Sequence, residues 1–582
     1  MRMFVPCLYL LVFYFPSVIS ALGVPSVDEQ NQQTQGIHLP LVRKSKSVVK
    51  RAGGSAEVGL GDAEDVTYNV IVQVGDTLTS LLLDSGSADL WVISDGCTNC
   101  GDIGIPFYPH TTFNASGLEA QLRYGDSHTG THAFGPIGKD KVGFAGLSLK
   151  DQYFAAIVDT NTTVLETGSA GIMGIGFPAI SVLWRQLLQA QLNNTASSLG
   201  ELTKRAALSP VDFGRPAFPS FDFLISKNHF PSPTHTKRQT APLLSSHEVI
   251  QSFGVYGSLP SRLVNEHILH SPLVAITLQR DTIDVGGNVG LFSIGELPFG
   301  LTSDSLTWVP IRAYSVAEGG LPPAPEASNE VYPLVWEIPI DDVYFDGTKL
   351  PRSSLSDPSI SLSSLVDTGN SLIRGPQDVI QHIHTMLGGT EFDCSLPHSL
   401  TFQIGGKAFS VDPRDFMHPT FTDSADLCST NLAVTDPPGD GFLYSWSLGD
   451  PFLKSVLTAF YYGNITNPSQ DPPRVGLLST IPPNAGERLK KVVEEARKGD
   501  GTFPITSEPA PSGTFAPTTI GIGGVPQATL SAGSSNSSPS TNPSQSSGAI
   551  SQSRSVVSIN SHVWLTTFVA VLWIALDIPF CS

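Results

Sequence analysis

Charged residues are scarce in this 582-residue chain: Asp, Glu, Lys and Arg together make up 15% of it. Basic residues are the scarcer kind, 33 Lys and Arg against 52 Asp and Glu, giving a formal net charge of -19 at pH 7. A chain with no basic face to neutralise phosphates is not built for nucleic acid. So few cations also keep the protein from gathering a large positive charge in acid, a composition compatible with work at low pH. Three signatures are missing as well: G-x-S-x-G, H-E-x-x-H and G-x-x-x-x-G-K-[ST]. Their absence leaves no serine nucleophile elbow, no zinc-protease helix and no phosphate loop. His382 and His384 stand two apart, a poor spacing for one helical face, and are expected to be exposed. No metal and no cofactor is expected.

Long apolar runs are rare too, and they fall at the two ends. Residues 1–21 open "MRMFVPCLYLLVFYFPSVISALG", with Arg2, an apolar run and then the small residues Ser17, Ser20 and Ala21. This is a signal-peptide pattern with cleavage near Ala21. The run is short and broken by Pro6 and Pro16, which disfavours a spanning signal anchor. At the other end, residues 502–560 are mostly Ser, Thr, Pro and Gly, the composition of a disordered, O-glycosylated stalk. In residues 563–582 the apolar part ends at Leu576, short of a ~20-residue membrane span, and Asp577 interrupts it. Small residues at Ser546, Ser547 and Gly548 precede a polar spacer, the layout of a GPI-anchor signal with attachment near Ser547. A short tail anchor is the alternative. The expected destination is the cell surface, at the plasma membrane or the wall.

Six cysteines occur, of which Cys7 lies in the signal and Cys581 in the extreme tail. Cys97, Cys100, Cys394 and Cys428 remain, an even number in a secreted setting, so disulfides are expected. "CTNC" also has redox spacing, but no helical pattern opens at Cys97 to lower a thiol pKa. Sequons at Asn114, Asn161, Asn193, Asn464 and Asn536 fit the same compartment.

A basic stretch, "RKSKSVVKR", ends at Lys50-Arg51; cleavage there would separate a propeptide, residues 22–51, from a mature chain. A solvated basic loop is the plainer alternative. From about Val66 short runs rich in β-branched and aromatic residues recur, "VTYNVIVQV", "LWVIS", "GLFSIGEL" and "LTFQIGG" among them. Helical patterns are few: "SVLWRQLLQAQL" from Ser181, and "PQDVIQHIHTML" from Pro376. Residues 193–258 break the rhythm with Pro and Ser clusters and the dibasic pairs Lys204-Arg205 and Lys237-Arg238. They read as a surface insertion open to a proteolytic nick.

"LLLDSGSADLWV" places Asp84 directly behind three leucines, and "SSLVDTGNSLIRGP" places Asp367 behind Leu365 and Val366. A lone D-[ST]-G is common and means only an aspartate in a turn. Two copies in matching apolar settings point to two related halves that bring their carboxylates together. Such a pair cannot easily lose both protons, so one carboxyl stays an acid while the other is a base. The base takes a proton from a water held between them and the acid protonates a substrate carbonyl, which is peptide hydrolysis without covalent intermediate or metal. Gly86 and Gly369 let backbone and water approach, and the Ser85 and Thr368 hydroxyls are placed to hold the loops.

With these motifs, residues 66–481 resemble a pepsin-like aspartic endopeptidase, in a layout similar to the fungal GPI-anchored, yapsin-type members. The resemblance implies an all-β, bilobal fold with small helices and an active-site cleft between an N-terminal lobe (66–299) and a C-terminal lobe (300–482). It implies Asp84 and Asp367 as the catalytic pair, supported by Ser85, Gly86, Ser87, Trp91, Thr368, Gly369 and Asn370. A flap is implied at Tyr124 and Gly125 in "LRYGDSHTG", and strand-turn repeats at "SAGIMGIGFP" and "YSWSLGDPFL". It also implies Cys97 paired with Cys100, Cys394 paired with Cys428, and a basic propeptide over the cleft until cleavage at Lys50-Arg51. The expected product is a monomer acting on polypeptides in acid. Three positions depart from the pattern. Asn370 stands where Ser or Thr is usual, with an amide expected to donate to Asp367 in its place. Ser127 stands near a usual Gly in a flap turn that reads one residue short, and Ser447 replaces an apolar residue. The same fold without catalysis, holding peptides or wall components, and a structural wall mannoprotein are the other readings. The last leaves two matched aspartate sites unexplained.

Overall fold

The computed structural model describes residues 56–59, 61–63, 67–101, 104–125, 130–197, 218–221, 224, 246–278, 290–439 and 441–503, with two-residue strands at 507–508, 519–520 and 526–527. The signal, the Lys50-Arg51 site, both other dibasic pairs, Ser127, Asn536 and the anchor signal lie outside them.

Alternation builds the first sheet. In Thr67–Val74, Tyr68, Val70, Val72 and Val74 are fully buried, the period-two pattern of a strand with one face on the core. A two-residue turn at Gly75, φ 57°, returns the chain into Thr77–Asp84, as a tight hairpin of this kind requires. That second strand is flanked on both sides, by Thr67–Val74 and by Gly171–Gly174, so its leucines read as a continuous run. The ten-stranded sheet continues through Leu90–Ile93, Leu147–Ile157, Thr131–Phe144 and Asn114–Tyr124.

The second half repeats the local arrangement. Ser363–Val366 runs parallel to Trp446–Leu448, which pairs antiparallel with Ile373–Gly375. In the first half Thr77–Asp84 runs parallel to Gly171–Gly174, which pairs antiparallel with Leu90–Ile93. A six-stranded sheet joins the halves, with Leu273–Leu278 beside Val456–Tyr461. Above it, Trp336 and Tyr462 of the second half both donate to the Ile175 carbonyl, at 3.1 and 2.6 Å, and Phe177 packs 4.4 Å from Trp336 between ring centroids.

Two expected boundaries change. The insertion at 193–258 is not all surface. The first helix runs Val182–Ser197, and short helices at Ser246–Gln251 and Phe253–Tyr256 put Val249, Ile250 and Phe253 in the core. Phe221 is buried within the connection itself. Single aromatics set among Pro and Ser have no periodicity to reveal them. The second half also runs past residue 482, into the helix Ala485–Lys498, which buries Leu489, Val493 and Ala496 against the strand Ser424–Thr430. Its Arg497 pairs with Asp393 at 2.9 Å and Asp426 at 3.0 Å. At the start of the expected stalk, Ser507–Glu508 pairs with the edge strand Gly61–Ala63. The helix expected from Pro376 forms as Gln377–Leu387, with Pro376 at its cap. No helix among the described residues is long and apolar enough to cross a membrane.

Candidate active site

Both D-[ST]-G loops leave the ends of central strands and meet. Leu83 and Val366 lie fully or almost fully buried behind Asp84 and Asp367. The two loops then interlock through four hydrogen bonds. The Ser85 hydroxyl donates to the Val366 carbonyl at 2.8 Å and accepts from the Thr368 amide at 2.9 Å. The Thr368 hydroxyl donates to the Leu83 carbonyl at 2.8 Å and accepts from the Ser85 amide at 3.0 Å. Each hydroxyl therefore ties its loop to the opposite half.

The approach leaves no room for side chains. A Cβ on Gly86 would stand 2.5 Å from Asp367 Oδ1, and one on Gly369 would stand 2.5 Å from Asp84 Oδ1. The register that sets this is also paired. The Ile175 amide donates to the Asp84 carbonyl at 2.8 Å, and the Asp367 amide donates to the Leu448 carbonyl at 3.0 Å.

Each carboxyl lies against the glycine of the opposite loop, so the two face each other, yet their surroundings differ. Asp84 accepts from the Gly86 amide at 2.8 Å and from the Ser87 hydroxyl at 2.5 Å. Asp367 accepts from the Gly369 amide at 3.0 Å. The expected amide donor turns elsewhere: Asn370 Nδ2 donates to Ser447 Oγ at 3.0 Å, while Oδ1 accepts from the Leu372 amide at 3.2 Å. The sequence expectation that this amide serves Asp367 is thus corrected, because Ser447 offers it a buried polar partner. The two departures at 370 and 447 are one hydrogen-bonded pair.

Burial raises the pKa of both aspartates. For Asp84 the Ser87 hydroxyl and the Gly86 amide offset part of that rise by favouring the anion. For Asp367 burial and the Asp84 charge push it up to about 8. Two donors favour the anion on the Asp84 side and one on the Asp367 side, an arrangement that can hold a single proton between the two carboxyls.

Tyr124 closes the eleven-residue strand Asn114–Tyr124, and Gly125 follows with φ 98°. The buried Trp91 donates from Nε1 to Tyr124 Oη at 2.6 Å, which fixes the phenol. Burial, then the Asp89 and Asp84 charges, raise the Tyr124 pKa.

Asp89 is a buried carboxylate the motif reading passed over. It accepts from the Ser181 hydroxyl at 2.5 Å and from the Val182 and Leu183 amides at 2.9 and 3.1 Å. It thereby pins the loop after Asp84 to the start of the helix Val182–Ser197, where free amides favour an anion. Ser181 directly before a helical run was the available signal. Burial raises the Asp89 pKa, and these three donors oppose the rise.

Disulfides join Cys97 to Cys100 and Cys394 to Cys428. Asn114 and Asn161 are exposed, Asn464 is half-buried with Oδ1 accepting the Thr466 and Asn467 amides, and Asn193 lies on the first helix. His382 is exposed as expected, but His384 is half-buried, with Nε2 3.3 Å from Thr430 Oγ1. No cluster of metal-binding side chains occurs among the described residues.

The chain belongs to the eukaryotic aspartyl protease family, whose sequence model matches residues 67–200 and 244–467, and it is an aspartic endopeptidase, a hydrolase. It is 25% identical over 440 residues to cathepsin E-A of Xenopus laevis, covering 72% of this chain and 80% of that protein. Major aspartyl peptidase 1 of Cryptococcus neoformans var. grubii is 23% identical, covering 75% and 76%. An aspartic protease of Phaffia rhodozyma is 22% identical, covering 74% and 80%.

Proposed function

We propose that Asp84 and Asp367 jointly activate one water for peptide-bond hydrolysis, with Asp84 as the base and Asp367 as the acid. Asp84, supplied with a hydroxyl and an amide donor, takes a proton from the water. The oxygen of that water attacks the carbonyl carbon while Asp367 gives its proton to the carbonyl oxygen, forming a neutral gem-diol. Collapse breaks the C–N bond as one gem-diol hydroxyl returns its proton to Asp367, and the proton gained by Asp84 goes to the leaving amine. Tyr124 and Gly125 form a flap over an extended polypeptide. The single observation that carries this reading is the approach of the two D-[ST]-G loops, each carboxyl against the other loop's glycine, with unequal donor sets.

The enzyme works in acid, is secreted through residues 1–21, and matures by cleavage at Lys50-Arg51. It carries glycans at Asn114, Asn161, Asn193 and Asn464, and sits on the cell surface as a monomer through a GPI anchor near Ser547. The relatives named as a cathepsin and as fungal aspartic peptidases support passage through the secretory route. The test is cleavage of a denatured protein at acid pH by the mature enzyme, with Asp84→Asn as control. Inert wild type after propeptide removal, or a fully active Asp84→Asn, would replace this reading with a peptide-binding one.

A further inference from the structure

The strand Thr131–Phe144, which returns from the flap, is gripped at one residue near its start. Tyr124 stands opposite Thr131 and Arg123 opposite His132, so His132 lies one ladder step from the flap tyrosine. On the other side of the strand runs the two-residue strand Asp159–Thr160, with Thr160 opposite Ala133. Four hydrogen bonds converge on His132. Its amide donates to Asn161 Oδ1 at 2.7 Å, and its carbonyl accepts from Thr160 Oγ1 at 2.8 Å and from the Asn161 amide at 3.2 Å. Asn161 uses Oδ1, so a glycan on Nδ2 of this sequon leaves the bond intact. The fourth bond is made by the side chain: His132 Nε2 lies 3.2 Å from Asp159 Oδ2.

Asp159 has a second partner on the far side. Its Oδ1 accepts from Asn99 Nδ2 at 2.6 Å, and Asn99 lies inside the loop that the Cys97–Cys100 disulfide closes. Beside it the Thr98 amide donates to the Val158 carbonyl at 3.4 Å. A covalently closed loop this short has little freedom left. The carboxylate is therefore a bridge, with Oδ1 on the disulfide loop and Oδ2 on the flap strand. Across the ladder His132 faces Arg123, and like charges directly opposite are unfavourable. In acid an imidazole carries a proton on both nitrogens and can only donate. Asp159 then accepts the Nε2 proton and offsets the Arg123 charge opposite.

We propose that Asp159 is a positioning residue: through His132 it fixes the return strand of the flap to the Cys97–Cys100 loop, and does so most firmly in acid. The inference rests on Tyr124 and Gly125 forming the flap over the Asp84 and Asp367 pair. Asp159 and His132 are partly open to solvent, with 48% and 29% of their side chains exposed, so the coupling has the modest scale of a surface ion pair.

The experiment measures kcat and KM of the mature enzyme on a fluorogenic peptide between about pH 4 and about pH 7, beside amide hydrogen exchange. In acid Asp159→Ala should raise KM about two- to fivefold, with kcat unchanged and Tm within about 2 °C of wild type. Asp159→Asn is the diagnostic variant. Toward neutrality its oxygen accepts from Asn99 and its NH2 donates to an unprotonated Nε2, so KM stays near wild type. In acid that NH2 meets an N–H, and KM rises to the Asp159→Ala level. Asn99→Ala should act in the same direction. An Asp159→Asn defect equal at all pH, an unchanged KM in Asp159→Ala or Asn99→Ala, or a Tm loss that tracks the KM change would overturn the proposal while leaving the dyad intact. Exchange at Tyr124 and at residues 131–134 follows the same tie without activity. It should quicken there in Asp159→Ala and stay slow in Thr67–Val74. Unchanged exchange would overturn the proposal, whereas an inert wild type with the expected exchange would overturn the dyad reading and not the tie.

Discussion

The pairing of Asn370 with Ser447 sets up a reciprocal test of which aspartate is acid and which is base. Ser87 and Asn370 occupy the same place, three residues after their aspartates, and only Ser87 donates to its carboxylate. The double variant Asn370→Ser/Ser447→Ala gives Asp367 the missing hydroxyl and removes the partner that would otherwise be stranded. A hydrogen bond to a charged group is worth about 1.5–3 kcal/mol, and one pKa unit is about 1.36 kcal/mol. Asp367 is partly open to the cleft, so solvent discounts the gain and the lower end applies, a fall of about one unit from its raised value. If Asp367 is the acid, as proposed, the alkaline limb of kcat/KM moves down by about one pH unit. Ser87→Ala works in the other direction: Asp84 loses its hydroxyl donor and keeps only the Gly86 amide, its pKa rises, and the acid limb moves up by about one pH unit. Both limbs are read from kcat/KM on a fluorogenic peptide between about pH 3 and about pH 9. An active double variant whose alkaline limb stays put, or Ser87→Ala moving the alkaline limb instead, would refute the assignment of acid and base.

Asp367 also makes a statement about stability. Its pKa is about 3.9 in an unfolded chain and is pushed up to about 8 in the fold. Between those values the folded state holds a proton that the unfolded state lacks, so stability falls as pH rises across that window. Asp367→Asn should match wild type in Tm below the window and increasingly exceed it as pH rises through it; parallel Tm curves would contradict the raised value. Ser85→Ala strands the Val366 carbonyl and the Thr368 amide, and Thr368→Ala strands the Leu83 carbonyl and the Ser85 amide. Each should cost about 2–4 kcal/mol by denaturant unfolding, and a loss under about 1 kcal/mol for either would mean that the cross-loop bonds do not hold the halves. The disulfides should differ by loop length. Cys394 and Cys428 are 34 apart and Cys97 and Cys100 only 3, so removing the first pair should cost about 4 kcal/mol and the second roughly 2. Equal losses in chemical denaturation would show that loop entropy is not the main contribution.

What was legible before folding was whatever local chemistry repeats. Asp84 and Asp367 could be read because each stands at the end of an apolar run, before Ser or Thr and Gly, and the same strand order recurs behind both. Tyr68 to Val74 could be read because alternation is a one-dimensional signal. The helix Ala485–Lys498 was legible in principle, since Leu489, Val493 and Ala496 fall on one face. Its many charges and its place before a Ser-rich tail concealed it. The destination of the Asn370 amide was not legible, because its choice between Asp367 and Ser447 depends on a neighbour 77 residues away. Phe218 was less legible still: it sits in a Pro- and Ser-rich stretch, and its partners Tyr314 and Phe442 belong to the other half. The motifs state the reaction because bond breaking needs fixed groups at fixed spacing. Long-range pairs such as these have no local signature, because each partner's environment is assembled only when the two halves fold together.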